Sequence, residues 1–190
     1  LTNCTFENNS ALGEGGGMLN ANSNPTLTNC TFENNSAYDG GGMYNEGSSP
    51  TLTNCTFAGN TANDDGGGVY NEYESNPVLE NCTITGNTAS YGGGMNNSNS
   101  SSSILIDSLI CGNTPDQLIG YAINGGGNTI ADECPIGCPD INGDGIVNVS
   151  DLLAIIDQWG LTNSPADVND DGIVDVSDLL SVISNWGPCQ

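Results

Sequence analysis

Apolar residues along this chain keep two different rhythms. Over the first two-thirds they alternate for two or three positions and then break at clusters of Asn, Gly and Ser, which predicts short strands joined by turns. Over the last third they fall into two matched sets. Leu152, Leu153, Ile155, Ile156 and Trp159 follow the i, i+3, i+4, i+7 spacing, as do Leu179, Leu180, Val182, Ile183 and Trp186. That spacing predicts two amphipathic helices, stopped by Gly160 and Gly187.

The strand region is an internal repeat. Asn3-Cys4-Thr5-Phe6 returns as Asn29-Cys30-Thr31-Phe32, Asn54-Cys55-Thr56-Phe57 and Asn81-Cys82-Thr83-Ile84. Five residues after each Cys stands Asn9, Asn35, Asn60 or Asn87, and two later Ala11, Ala37, Ala62 or Ala89. Glycine triplets begin at Gly15, Gly40, Gly66 and Gly92, followed by Met18, Met43, Val69 and Met95. A degenerate fifth copy covers Ile104-Leu105-Ile106-Asp107, with Asn113 in the Asn register. One copy of about 26 residues cannot bury its few apolar side chains. Copies stacked about 4.8 Å apart build a continuous core. Leu27, Leu52 and Leu79 then form one ladder, Phe32 and Phe57 another, and Asn35 and Asn60 a hydrogen-bonded third. The glycine triplets mark corners that admit only small or positive-φ residues.

Composition narrows the chemistry. The 190 residues include 23 acidic ones and no Lys, Arg or His, for a formal charge of −23. Such a surface attracts cations and repels phosphate, so nucleic acid and anionic membranes are poor partners. The usual general bases and electrophilic stabilisers are missing, so no catalytic residue is expected. Only 12% of residues are charged, while Gly (27) and Asn (28) dominate, which fits a folded, turn-rich chain rather than an acidic disordered tail. No run of 18 apolar residues predicts a membrane span. The chain opens inside a repeat at Leu1, as a processed chain or fragment would. Eight Cys fit an oxidising compartment. Cys4, Cys30, Cys55 and Cys82 should point the same way in successive copies, slightly too far apart for unstrained bridges, and serve as small buried apolar fillers. A single file is not a tetrahedron, so zinc is disfavoured there. The sequons, such as Asn3-Cys4-Thr5 and Asn34-Asn35-Ser36, read mostly as chance matches in an Asn-rich chain, and the Asn before each Cys as a ladder residue rather than a glycan site.

The repeat resembles the right-handed parallel β-helix family, the pectin-lyase-like fold, and within it the repeats of polymorphic outer-membrane proteins and large bacterial surface proteins. The resemblance covers residues 1–133 and implies a solenoid of about five coils on the outside of a bacterial cell. Lyases of this fold use Lys or Arg, and its hydrolases combine Asp clusters with basic residues, none of which is present. Asp39, Asp64 and Asp65 precede glycine corners and are expected to be solvated turn acids. The stretch 134–139 reads as a linker.

Residues 140–190 carry a second repeat. Asp140, Asn142, Asp144, Gly145, Ile146, Asn148 and Asp151 return 27 residues later as Asp167, Asn169, Asp171, Gly172, Ile173, Asp175 and Asp178. A hard cation such as calcium takes six to eight oxygens, supplied in a 12-residue loop by side chains at positions 1, 3 and 5, the carbonyl at 7, position 9 and position 12, with Gly at 6 for the bend. The expected ligands of two calcium ions are therefore Asp140, Asn142, Asp144, the Ile146 carbonyl, Asn148 and Asp151, and Asp167, Asn169, Asp171, the Ile173 carbonyl, Asp175 and Asp178. Loop then helix, twice, with Asp at position 12, resembles a type I dockerin. That resemblance implies docking onto a cohesin-like or other β-rich protein surface through loop positions 10 and 11, here Val149-Ser150 and Val176-Ser177. It implies too that the ends of the module meet, so that Cys138 and Cys189 clasp it, leaving Cys111 and Cys134 to pin the last coil.

The expected fold is thus mainly β, a parallel β-helix followed by a small all-α module. The expected role is non-catalytic: an extracellular stalk docking onto a partner, or onto another copy of the chain to build a filament. The alternative is a glycan-binding module or a fragment of a carbohydrate-active enzyme, with Tyr38, Tyr44, Tyr70, Tyr73 and Tyr91 exposed to stack on sugars.

Overall fold

The computed structural model describes residues 1–134, 139–142, 146–169 and 171–188. The chain divides into two compact units, Leu1–Cys134 and Pro135–Gln190. The predicted ligand Asp144 and the predicted clasp between Cys138 and Cys189 lie outside the described residues.

The first unit is a parallel β-solenoid. One sheet stacks Thr5–Glu7, Thr31–Glu33, Thr56–Ala58, Thr83–Thr85, Leu109–Cys111 and Thr129–Ala131. A second stacks Met18–Ala21, Met43–Glu46, Val69–Glu72, Met95–Asn97 and Leu118–Ile119, and a third Thr26–Thr28, Thr51–Thr53, Val78–Glu80, Ser102–Ile106 and Tyr121–Asn124. Every pairing joins a strand to its counterpart one turn away, never to its neighbour in sequence. The repeat makes this register unavoidable, because a slip of one residue would turn each buried ladder outward. Thr5, Thr31, Thr56, Thr83 and Leu109 align in steps of 26, 25, 27 and 26 residues. The path from Leu109 to Thr129 takes only 20. The solenoid therefore makes about four turns rather than five, because the degenerate last copy is shorter, its glycine triplet Gly125–Gly127 falling after the third-sheet strand rather than before the second-sheet one.

The core is built of columns. Phe32, Phe57, Leu27, Leu52, Leu79, Met43, Val69 and Met95 have no exposed surface. The rings of Phe6, Phe32 and Phe57 stack with centroids 4.6 and 4.7 Å apart and planes within 5°. Beside them runs an amide ladder. The Oδ1 of Asn35, Asn60, Asn87 and Asn113 each accepts from both the backbone N–H and the Nδ2 of the Asn one turn earlier, at 2.8–3.0 Å. In the shortened turn the Oε1 of Gln117 takes the place of the next Asn, accepting from both donors of Asn113. A second interior ladder joins Asn20, Asn45, Asn71 and Asn97. A surface ladder joins Asn3, Asn29, Asn54 and Asn81, all at positive φ, which Asn tolerates better than other side chains. The Asn before each Cys is thus a ladder residue. Every buried side-chain N or O among the described residues has a partner.

The glycine corners have two separate causes. Gly15, Gly40, Gly66 and Gly92 sit at φ of 61–66°. The glycines after them are needed for space: a Cβ on Gly41 would lie 2.5 Å from the Thr61 carbonyl oxygen and 2.6 Å from that of Gly67.

In the second unit, α1 spans Val149–Asp157 and α2 spans Val176–Ser184. Both end before Trp159 and Trp186, which the sequence pattern places inside the helices. Gly160, at φ 77°, donates its N–H to the Val174 carbonyl instead. Val147, Ile155, Ala166, Val174 and Val182 form the core, with Leu152, Val168 and Leu179 packed on it. Ile146–Val147 pairs antiparallel with Gly187–Pro188.

Candidate metal centres

Each helix of the second unit begins with a reciprocal cap. Asn148 accepts from the Ser150 N–H at 2.7 Å, and Asp175 from that of Ser177 at 2.7 Å. Asp151 and Asp178, one turn in, return the bond to the cap residue's own N–H at 2.9 and 2.8 Å. Carboxylates at a helix start also meet the positive end of its dipole.

Asp151 and Asp178 reach further. The Oδ1 of Asp151 accepts from the N–H groups of Ile141 (2.8 Å) and Asn142 (3.2 Å). The Oδ1 of Asp178 accepts from those of Val168 (2.8 Å) and Asn169 (3.3 Å). Both carboxylates are wholly buried. Burial alone would raise the pKa of Asp151, but the backbone donors of Asn148, Asn142 and Ile141 outweigh it and hold the carboxyl below its usual range. A carboxylate offers about four lone-pair directions, and three are used here. These two residues tie the start of each loop to its helix, a positioning role that motif spacing does not distinguish from ligation.

The second loop is described at every predicted ligand. Asp167 accepts from the N–H groups of Asp171 (3.1 Å) and Gly172 (2.9 Å), Asn169 Oδ1 from Asp171 N–H (3.0 Å), and Asp171 Oδ1 from Ile173 N–H (3.1 Å). Backbone donors thus hold the side chains of positions 1, 3 and 5 on one curled strip of chain, and Gly172 at φ 98° allows the curl. Asp167, Asp171, Asp175 and Asp178 bring four carboxylates to this loop, with no basic residue in the chain to neutralise them. A set of oxygen donors this acidic suits a hard divalent cation. The first loop differs at position 9. Asn148 Nδ2 donates to the Ile146 carbonyl at 2.9 Å, competing for an expected ligand oxygen. Asp175 stands at the corresponding position and has no amide proton to give Ile173. Of the expected first-loop ligands, Asp140, Asn142, Ile146, Asn148 and Asp151 are described.

Convergence is tighter elsewhere. Among the described residues, the carboxylates of Asp39, Asp64 and Asp65 form the group whose oxygens all lie within 4.8 Å of one another. Asp39 accepts from the Asp65 N–H (3.0 Å), and Asp65 from Asn96 Nδ2 (2.8 Å). Burial first, then repulsion from neighbouring carboxylates, Asp64 foremost, raises the pKa of Asp39 and Asp65. They are half-buried, not the freely solvated turn acids of the sequence reading.

The tyrosines also divide. Tyr38, Tyr73 and Tyr91 are exposed, but Tyr44 and Tyr70 are buried, at 7% and 5% exposure, contrary to the sequence expectation. Their rings meet edge to face at 5.3 Å, and the Tyr44 hydroxyl donates to Glu72 at 2.6 Å. Desolvation, with Glu72 alongside, pushes the Tyr44 pKa up, and desolvation pushes Tyr70 up to about 12.

Cys111 and Cys134 are joined by a disulfide, with Cα atoms 4.8 Å apart. Cys4, Cys30, Cys55 and Cys82 are free thiols. Among the described residues no helix is long and apolar enough to cross a membrane.

Most of the apolar residues exposed in the second unit are paired by the duplication. Val149, Leu153, Ile156 and Trp159 are 50–58% exposed, and Val176, Leu180, Ile183 and Trp186 are 51–58% exposed. Ser150 and Ser177 are exposed beside them.

A family profile described as "Right handed beta helix region" matches residues 1–114. No curated protein and no solved structure matches the chain.

Proposed function

The chain belongs to the right-handed β-helix family, and on that premise we propose that it is a non-catalytic attachment protein of the bacterial cell exterior. Its solenoid is a chemically inert scaffold of the polymorphic outer-membrane-protein type. Its second unit is a dockerin-like module that binds two calcium ions and docks onto a partner protein. The observation that carries this reading is the depth of the duplication. The two loop–helix halves match down to the hydrogen bonds of Asp151 and Asp178, and each leaves the same Val, Leu, Ile and Trp in water. A module of about 50 residues that exposes eleven large apolar side chains, these eight among them, has a surface to cover. Val149, Ser150, Val176 and Ser177 lie at the loop-proximal ends of these two rows.

The partner is a cohesin-like or other β-rich surface, apolar at its centre and basic at its rim, since this chain is acidic throughout. A second copy would bring another charge of −23 to the contact, so assembly into filaments would need bound cations to screen it. The carbohydrate alternative keeps three of its five tyrosines, Tyr38, Tyr73 and Tyr91.

Calorimetric titration of calcium into the chelated chain tests the metal half, with two ions per chain expected. Absence of binding at millimolar calcium would sink it. Immobilised purified cohesin domains test the docking half. Retention in calcium, release in EGTA and loss with Leu153→Glu plus Leu180→Glu support it. Retention indifferent to both EGTA and the substitutions refutes it.

A further inference from the structure

A single file of sulfur runs through the solenoid. Cys4, Cys30, Cys55 and Cys82 each precede a strand of the same sheet. The backbone stacks them directly: the carbonyls of Cys4, Cys30 and Cys55 accept from Thr31, Thr56 and Thr83, each at 2.9 Å. All four thiols donate to the carbonyl two residues upstream, at 3.4 Å in every case, so the four side chains share one orientation. Sulfurs so related repeat at the spacing of the turns, which the adjacent Phe column measures as 4.6 and 4.7 Å.

That spacing has a chemical meaning. A metal–thiolate bond is about 2.3 Å, so two of them end to end span about 4.6 Å. The line between neighbouring sulfurs runs along the stack while each side chain points inward across it, so an ion on that line is met at nearly a right angle to the Cβ–Sγ bonds. We propose that neighbouring thiols of this ladder form a binding site for a soft metal ion that takes two sulfur ligands in a line. Thiolates select soft ions over the hard cations that suit the acidic loops. For a divalent ion the reaction is two thiols plus one ion giving a neutral dithiolate and two protons released to solvent. A neutral product suits a ladder in which Cys30, Cys55 and Cys82 are 1% exposed. Cys4 is half-buried and gives an ion its way in.

The neighbours already sense each other. Hydrogen bonding from Cys82 pulls the Cys55 thiol below its ordinary range, and the same partner, with burial, pushes Cys82 above it. The next position of the column is Ser108, whose hydroxyl donates to the Ile106 carbonyl at 2.9 Å in the geometry of the thiols above it. The column therefore accepts Ser without loss of fold, which provides clean variants.

Mercuric chloride is the probe. The full chain is kept in saturating calcium, with Cys138→Ser and Cys189→Ser removing the remaining cysteines outside the Cys111–Cys134 bridge. Four thiols taken two at a time bind two ions per chain, and X-ray absorption then shows two sulfur neighbours per mercury with the β circular dichroism unchanged. Cys55→Ser reduces uptake to one ion, and Ser at all four positions abolishes it. Exclusion of the ion from the folded chain, uptake unaffected by the four Ser substitutions, or mercury with three or more sulfur neighbours each overturns the proposal.

Discussion

The two units solve the same problem, a small apolar content in a polar chain, by opposite means. In the solenoid's interior the ladder side chains are neutral amides, and each finds its partner in its own copy one turn away. Asn60 illustrates this: its Oδ1 accepts from Asn35, its N–H and Nδ2 donate to Asn87, and its Nδ2 also donates to the Phe32 carbonyl. In the second unit the organising side chains are carboxylates, and their partners are backbone N–H groups. Repetition closes the polar accounts of the first unit internally. Duplication in the second unit concentrates negative charge, which on the proposed reading a bound cation offsets. Stability should therefore be intrinsic to the solenoid and conditional in the loop–helix unit.

The sharpest way to break this contrast is chelation. EGTA is expected to abolish the helical circular dichroism of α1 and α2 while leaving the β signal and its melting temperature unchanged. Asp178→Ala should do the same even in calcium, since it strips acceptors from three part-buried N–H groups at a cost of about 3 kcal/mol, enough to unfold a unit this small. A solenoid that melts with the module, or helices that survive EGTA, would erase the distinction. Next in size, Phe57→Ala should cost the solenoid about 3–5 kcal/mol. Denaturant unfolding would show it in the β transition alone, with calcium binding intact. Asn60→Leu should cost about 2 kcal/mol, because several buried bonds lose their partner at once.

Falling pH should move the two units in opposite directions, the solenoid first and the loop–helix unit at lower pH. Asp151 has a folded pKa below its unfolded value, so its contribution is present above the ordinary Asp range and is lost as pH falls through the lowered folded value. Asp39 and Asp65 have raised folded pKa values, so the folded state takes up their protons first. The solenoid gains stability as pH falls through those raised values toward the unfolded one, before other carboxylates intervene. Melting curves followed separately in the β and helical bands at descending pH check the sign. The smallest effect concerns the two loops. The first offers three carboxylates to the second's four and spends Asn148 on the Ile146 carbonyl. Calcium should fill the second loop more tightly, and Asn148→Asp should narrow the gap measurably in a calorimetric titration.

The columns were legible in the sequence because they depend only on period. Once Cys, Asn, Phe and Gly recur at 25–27 residues, stacking follows, and Leu27, Leu52 and Leu79 meet as expected. What period does not specify is how an outward-pointing side chain is covered by its neighbours. Tyr44 and Tyr70 point away from the Phe column yet are buried, because each covers the other and Glu72 receives the Tyr44 hydroxyl. The substitution of Gln117 for a ladder Asn was equally hidden, since its amide reaches the column from a shortened turn with no spacing signal. In the loops, residue types were readable but orientation was not. Asp151 and Asp178 carry the motif's twelfth position, and only their backbone contacts reveal that each carboxylate also fastens its loop to the helix.

The Cys111–Cys134 bond has a mechanical consequence. Tension arriving along the backbone from the second unit reaches Cys134 and crosses the bridge to Cys111, a buried strand residue. The short final turn between them is thereby taken out of the load path. Reduction would place those 23 residues back in series, lengthening the tether by about 80 Å once they peel away. A pulling experiment in oxidising and reducing buffer would record that difference as an extra early step.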